Sequence, residues 1–192
     1  TPVDAIAVFD PKGRFVRSWG KQYHTAGHGI DVRKEGNEEF LYLSCISKGF
    51  IVKSTLKGEE VWVKKRPAEP GVYDDPKAIY SPTNICFAPD GGFYVGDGYG
   101  SHYIHQYDKD DKWVRTWGGL GSEPGKMKTP HGQWLDNRPG RKPSLVVCDR
   151  ANSRLQYFTL DGKHIEFVQG LSFPADIDIQ GDVMLCPDLH AR

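Results

Sequence analysis

The sequence predicts an all-β fold, a β-propeller built of four-stranded antiparallel blades, and three observations predict it. One hairpin pattern occurs four times, a second pair of short strands recurs upstream of three of those hairpins, and aromatic residues, Gly and Pro abound where Met is scarce. Many short strands joined by tight turns have this composition. A fixed repeat of about 40 to 50 residues with four strands in each describes a unit that buries its faces only by stacking on its neighbours.

The hairpins come first. Val8 to Gly20 lines up without gaps on Gln106 to Gly118: a strand, a polar turn, a strand, then Trp-Gly at Trp19-Gly20 and Trp117-Gly118. Leu155 to Val168 repeats the pattern, and Phe50 to Val63 does so around Leu56-Lys57-Gly58. The second pair of strands begins at a Pro or Gly. Pro82 to Phe87 followed by Phe93 to Asp97 matches Pro130 to Leu135 followed by Leu145 to Asp149. Alternating apolar residues bounded by turn residues read as half-buried strands.

In chain order, residues 1–20 supply the last two strands of a blade, residues 21–66, 78–118 and 127–169 supply three whole blades, and residues 172–192 supply the first two strands of another. Two arrangements follow. The terminal halves pair and close a small ring of four, or the chain is a segment of a larger, six-bladed propeller, which open strand edges favour. The Pro/Gly-rich stretches Arg66 to Asp75 and Gly119 to Lys126 are loops between blades, a location that often lines a site.

Composition narrows the function. Of 192 residues, 25 are basic and 25 acidic, so no global field draws nucleic acid or an anionic membrane. No apolar run reaches the roughly 18 to 20 residues of a membrane span, and Thr1-Pro2-Val3-Asp4 does not read as a signal peptide, so the sequence predicts a soluble chain. Cys45, Cys86, Cys148 and Cys186 are far apart, without Cys-x-x-Cys spacing and within or beside apolar runs; they read as buried free thiols. There is no Ser-His-Asp pattern, phosphate-binding loop, Gly-x-Gly-x-x-Gly after a strand or EF-hand loop.

Superposing the blades puts His28, Thr83, His131 and Ala175 at one position, just after the Pro or Gly that opens the first strand. First strands line the channel of a propeller. In a six-bladed ring, histidines on every second blade stand about 120° apart and converge as a three-imidazole metal site with one position open; in a four-bladed ring two histidines face each other as a weaker pair. The bland alternative is a histidine bonded to water or a backbone carbonyl. His24, His102, His105, His164 and His190 lack this registry and are read as surface or loop residues. Tyr99 and Arg150 follow equivalent aspartates, Asp97 and Asp149, and so project at one end of the channel; those aspartates, with Asp188, read as turn braces.

The run Asp149-Arg150-Ala151-Asn152-Ser153-Arg154-Leu155-Gln156 resembles the NHL-repeat signature. Within NHL proteins the chain resembles the peptidyl-α-hydroxyglycine α-amidating lyases, zinc enzymes that split peptidyl-α-hydroxyglycine into a peptide amide and glyoxylate. His28-Gly29-Ile30-Asp31, Pro130-His131 and Gly96-Asp97-Gly98-Tyr99-Gly100-Ser101 carry the likeness. It implies that His28 and His131 are metal ligands, that Tyr99 is the general base and that Arg150 belongs to the catalytic site. The family's third zinc histidine and its other active-site arginine have no counterpart here. The cofactor implied is zinc, with a structural calcium as a second candidate; the partner is a small or peptide substrate in the channel, and kinship with a secretory-pathway enzyme tilts the location towards export. The competing reading is a non-enzymatic NHL scaffold that presents its loops to a protein partner. A calcium lactonase is disfavoured because no acidic ring is evident.

Overall fold

A computed structural model describes residues 3–190; the outermost residues of both predicted half blades, 1–2 and 191–192, lie outside the described residues. The first hairpin pairs β1 (Ile6–Phe9) with β2 (Phe15–Trp19). Three four-stranded antiparallel sheets follow, each ordered as the chain runs. They are β3 (Gly27–Glu35) to β6 (Glu60–Lys64) through β4 (Glu38–Cys45) and β5 (Phe50–Thr55); β7 (Asn84–Phe87) to β10 (Trp113–Gly118) through β8 (Phe93–Gly96) and β9 (Tyr103–Tyr107); and β11 (Pro130–Asp136) to β14 (His164–Val168) through β12 (Ser144–Asp149) and β13 (Arg154–Phe158). A last hairpin pairs β15 (Asp178–Gln180) with β16 (Val183–Leu185). The two terminal hairpins form separate sheets and do not pair with each other.

The repeated hairpin has one local cause. At each turn a residue with a short side-chain acceptor closes the loop on itself: Asp10, Thr55, Asp108 or Thr159. Its backbone carbonyl accepts from the residue three further on, and its N–H donates to the carbonyl four further on. Its side-chain oxygen accepts two N–H groups inside the turn at Asp10, at Thr55 and at Asp108, as Asx and Ser/Thr turns do. The fourth turn residue has positive φ in every case and is Gly13, Gly58, Asp111 or Gly162.

The Trp-Gly pairs are explained one level up. Trp19 packs on the turn glycine of the next sheet, where a Cβ on Gly58 would lie 2.7 Å from the indole; Trp117 does the same to Gly162 at 2.7 Å. Two residues earlier, Arg17 donates to the carbonyl of Leu56 and Arg115 to that of Asp161. The outer edge of each such sheet is therefore fastened to the hairpin of the next.

Strand alternation fills the layers between sheets. Leu41, Leu43, Cys45 and Val52 pack towards β1–β2, whereas Tyr42 and Ile51 pack towards Ile85, Phe93 and Val95 of the following sheet. Cys86 and Tyr94 meet Leu145, Val147 and Phe158, and Val146, Cys148 and Tyr157 meet Ile177 and Met184. Each fully buried aliphatic or aromatic side chain in these layers contributes roughly 1.5–3 kcal/mol. Cys45, Cys86 and Cys148 are buried and Cys186 is half-buried, all as free thiols. No helix among the described residues is long and apolar enough to cross a membrane.

Candidate functional site

β3 and β11 share an irregularity at their first residues. Gly27 pairs with Cys45 and Ile30 with Leu43, while Pro130 pairs with Asp149 and Gln133 with Val147, so each strand carries one extra residue at His28-Gly29 or at His131-Gly132. A bulge of this kind re-aims a side chain. It turns the imidazole across to the next sheet, where His28 Nδ1 lies 2.7 Å from the carbonyl of Thr83 and His131 Nδ1 2.6 Å from that of Ala175. The glycines make the approach feasible: a Cβ on Gly29 would lie 2.7 Å from the Thr83 carbonyl, and one on Gly132 would lie 2.3 Å from Asp176 Oδ1. The in-between position is held by Thr83, fully buried, whose Oγ1 is 3.0 Å from the carbonyls of both Pro130 and His131. The four registry residues are thus joined in sequence from sheet to sheet.

A carbonyl only accepts, so each Nδ1 carries the proton and each Nε2 keeps its lone pair. That is the tautomer of a metal-binding histidine with its backbone support in place. The rings of His28 and His131 are 4.7 Å apart, and Tyr99 is 5.3 Å from both. The Tyr99 hydroxyl lies 2.8 Å from His131 Nε2 and donates to it, while Arg150 Nη1 donates to the same hydroxyl oxygen at 3.0 Å. Burial, followed by the Arg150 charge, pushes the His131 imidazole down to about 4 and keeps it neutral. The structure therefore brings all four predicted site residues, His28, His131, Tyr99 and Arg150, into one cluster.

The aspartates hold it there. Asp97 accepts from the N–H of Ser101, closing the turn that carries Tyr99, and from the N–H of Ser81, whose carbonyl in turn accepts from Tyr99 N. Asp149 accepts from Lys128 N, Asn152 and Arg154, and Asp188 from the N–H groups of Ser172 and Phe173. Arg150 is buried against the Phe173 ring and donates to the Pro174 carbonyl, so the next sheet positions it.

A cavity of about 370 Å³ opens on His28 and His131 and is also lined by Asp31, Asn84, Trp134 and Asp176. Burial, with the Asp176 charge added, raises the Asp31 carboxyl to about 6, and burial raises that of Asp176. A second cavity of about 320 Å³ lies against His28 and is walled by β1, β3 and β4, including the apolar Ile6, Ile30, Leu43 and Cys45, and by Tyr23. Among the described residues no three His, Cys, Asp or Glu side chains gather as a metal-ligand set; the donor chemistry that fits a metal is the imidazole pair.

One reading of the sequence is corrected. His105, expected on the surface or in a loop, is fully buried within β9. Its Nε2 is 2.7 Å from the Tyr73 hydroxyl, which donates to Asp97, and its Nδ1 is 2.8 Å from Thr116 Oγ1. With both nitrogens bonded it stays neutral, burial pushing it down to about 3. The aromatic residues that share its strand face, Tyr103 and Tyr107, gave a signal for burial; the partner on the loop, Tyr73, had none. Asp31 and Asp176 were also missed, although Asp176 directly follows the registry position Ala175 and Asp31 closes the His28-Gly29-Ile30-Asp31 run.

Sheets stacked through repeated hairpins, with first strands converging on a polar cluster, define a β-propeller. No protein-family model matches the chain. It is similar to peptidyl-glycine alpha-amidating monooxygenase B of Xenopus laevis, 29% identical over 171 residues, and to the A form of the same species, 27% identical over 180 residues. These alignments cover 85% and 90% of the chain but 18% of either relative, so the chain spans less than a fifth of their length. Among solved structures it superposes on virginiamycin B lyase of Staphylococcus aureus with a TM-score of 0.63 at 12% identity, covering 89% of this chain and 51% of that one. A protein of unknown function from Bacteroides caccae matches with a TM-score of 0.60 at 15% identity, covering 93% and 58%. The chain is a β-propeller that resembles the amidating enzymes.

Proposed function

We propose that this propeller acts as a zinc-dependent lyase of the amidating type, cleaving a peptidyl-α-hydroxyglycine-like carbinolamide to an amide and glyoxylate, or acting on a related small carboxylate. The observation that carries the reading is the meeting of His28, His131 and Tyr99 with Arg150 at one end of the first strands. In this reaction the substrate hydroxyl loses its proton, the C–N bond breaks and the amide nitrogen gains a proton. Tyr99 takes the hydroxyl proton at its Oη as the phenolate, its own proton having gone to solvent once it is displaced from His131; Arg150 Nη1 steadies the oxygen, and the proton taken up passes to the amide nitrogen as the C–N bond breaks. Arg150 commits Nη1 to Tyr99 and Nε to the Pro174 carbonyl, and Nη2 serves the substrate carboxylate. His28 and His131 would hold zinc through Nε2, and the Lewis acidity it supplies when bound eases charge build-up on the substrate oxygens. One lone pair cannot serve two partners, so giving His131 Nε2 to a metal frees the Tyr99 hydroxyl to face substrate. The apolar cavity beside His28 suits the side chain preceding the cleaved residue.

The test is zinc content by elemental analysis of the chain and of a His28→Ala/His131→Ala variant, followed by glyoxylate release from an α-hydroxyglycine peptide. The expected result is about one zinc per chain, lost in the variant, and release that falls about 10²- to 10⁴-fold in Tyr99→Phe. A chain that takes up no zinc and releases no glyoxylate overturns the reading in favour of a protein-binding scaffold.

A further inference from the structure

The four cysteines lie in different layers with one exception. Cys45 packs between β1–β2 and the β3–β6 sheet, and Cys86 between the β7–β10 and β11–β14 sheets. Cys148, near the end of β12, and Cys186, just after β16, share the last layer, where Cys186 packs against the buried cluster that contains Cys148. They come from neighbouring sheets, so a bond between them would cross the layer. Cys148 immediately precedes Asp149-Arg150 and Cys186 lies two residues before Asp188, the brace whose partners include Phe173, on which Arg150 stacks.

We propose that Cys148 and Cys186 form a redox-active dithiol that is oxidised by a low-molecular-weight disulfide of the glutathione type to a disulfide bond fastening the β11–β14 sheet to the β15–β16 hairpin. The two thiols have unequal roles. Cys186 is half-buried and within reach of solvent, whereas Cys148 is fully buried. The Cys148 thiol donates to the carbonyl of Asp176 at 3.5 Å, which holds its proton in place; the nearness of the two thiols keeps Cys186 below its usual range and, with burial, pushes Cys148 up. Cys186 is therefore the entering thiolate and Cys148 the proton-bearing partner. The Cys186 thiolate attacks one sulfur of the small disulfide, forming a mixed disulfide and expelling one thiolate, which takes up the Cys148 proton. The Cys148 thiolate then attacks the Cys186 sulfur and expels the second thiolate, which takes up the proton that Cys186 had released to solvent on ionising. Overall two protein thiols lose two electrons, and one small disulfide is reduced to two thiols.

The experiment treats the folded, full chain with oxidised glutathione, blocks remaining thiols with N-ethylmaleimide and maps the cysteines by peptide mass spectrometry. Cys148 and Cys186 should be lost together and recovered as one linked peptide pair, while Cys45 and Cys86 stay unoxidised. The thermal midpoint should rise on oxidation and return on reduction, because the bond closes a long loop. In Cys148→Ser, Cys186 should stop as the glutathione adduct; in Cys186→Ser, Cys148 should remain unmodified. A stable glutathione adduct on Cys186 in the parent chain, with Cys148 still free, would overturn the proposal, as would two thiols that survive oxidant unchanged.

Discussion

Replacing Thr83 with Val tests whether the registry position is a structural link as well as a place in an alignment. The side chain is fully buried, and its single hydroxyl proton is offered where the carbonyls of Pro130 and His131 both lie at 3.0 Å. Valine keeps the shape and removes the donor. The Thr83 carbonyl that holds His28 is untouched, because it belongs to the backbone. Losing one buried hydrogen bond and leaving a carbonyl short of a partner costs about 1–2 kcal/mol. At about 2–4 °C per kcal/mol for a chain of this size, the thermal midpoint falls by about 2–8 °C. The assay is thermal and urea unfolding followed by tryptophan fluorescence, with zinc uptake measured beside it. Both should weaken, since the hydroxyl holds the backbone of His131 at its distance from His28. A Thr83→Val chain that unfolds at the parent's midpoint refutes the link.

Two other substitutions probe different parts of the argument. A Cβ on Gly98 would lie 2.2 Å from the Pro130 carbonyl and 2.7 Å from Thr83 Oγ1, neither able to swing away, so Gly98→Ala should cost about 1–3 kcal/mol in urea unfolding; an unchanged midpoint would show that the turn carrying Tyr99 is looser than drawn. Burial raises the Glu35 carboxyl, but hydrogen bonds from Lys53, Tyr42 and Arg33 outweigh it and hold it at about 2. A depressed carboxylate contributes stability that is present above its ordinary value of 4.5 and lost as pH falls towards 2. Glu35→Gln should therefore lose about 1–2 kcal/mol at neutral pH, a figure reduced for the screening of a side chain 29% exposed, and should flatten the acid side of the stability profile; parallel profiles for the two proteins would discard the assignment.

The repeats made most of the architecture legible, because each repeated residue serves one local need. Asp10, Thr55, Asp108 and Thr159 close the same turn, and Trp19 and Trp117 sit on the glycines of the next turn. The site was legible for the same reason: superposing repeats puts His28 and His131 in register, and the Asp-plus-one and Asp-plus-two positions deliver Arg150 and Tyr99 to a common end. What escaped lies off the repeat. Tyr73 comes from an irregular loop that folds back to bond His105 and Asp97, and no periodicity marks a residue whose partner is 24 or 32 positions away. Cys148 and Cys186 meet for a similar reason: they are 38 residues apart and not at equivalent positions, so only the stacking of sheets brings them together.

Stacking of sheets also explains why the candidate site and the links between sheets share the same residues. A blade edge needs its backbone carbonyls satisfied, and here the first-strand residue of one sheet supplies the donor for the next: His28 to Thr83, Thr83 to the Pro130–His131 pair, His131 to Ala175. When that residue is threonine its polar capacity is spent on the link. When it is histidine, one nitrogen makes the link and the other remains, held in a fixed tautomer by the bond its partner atom has made. The His-Gly bulge is the local change that converts a structural stitch into a presented lone pair, and it occurs in the first and third whole sheets but not in the second, where Asn84 pairs with Gly96 and the ladder runs without a shift. Tyr99 completes the arrangement from the second sheet, so a blade without a histidine still contributes to the cluster. Its hydroxyl now occupies the His131 lone pair. Any ligand that claims that nitrogen must release the tyrosine, which couples occupancy of the histidines to the direction in which Tyr99 offers its oxygen.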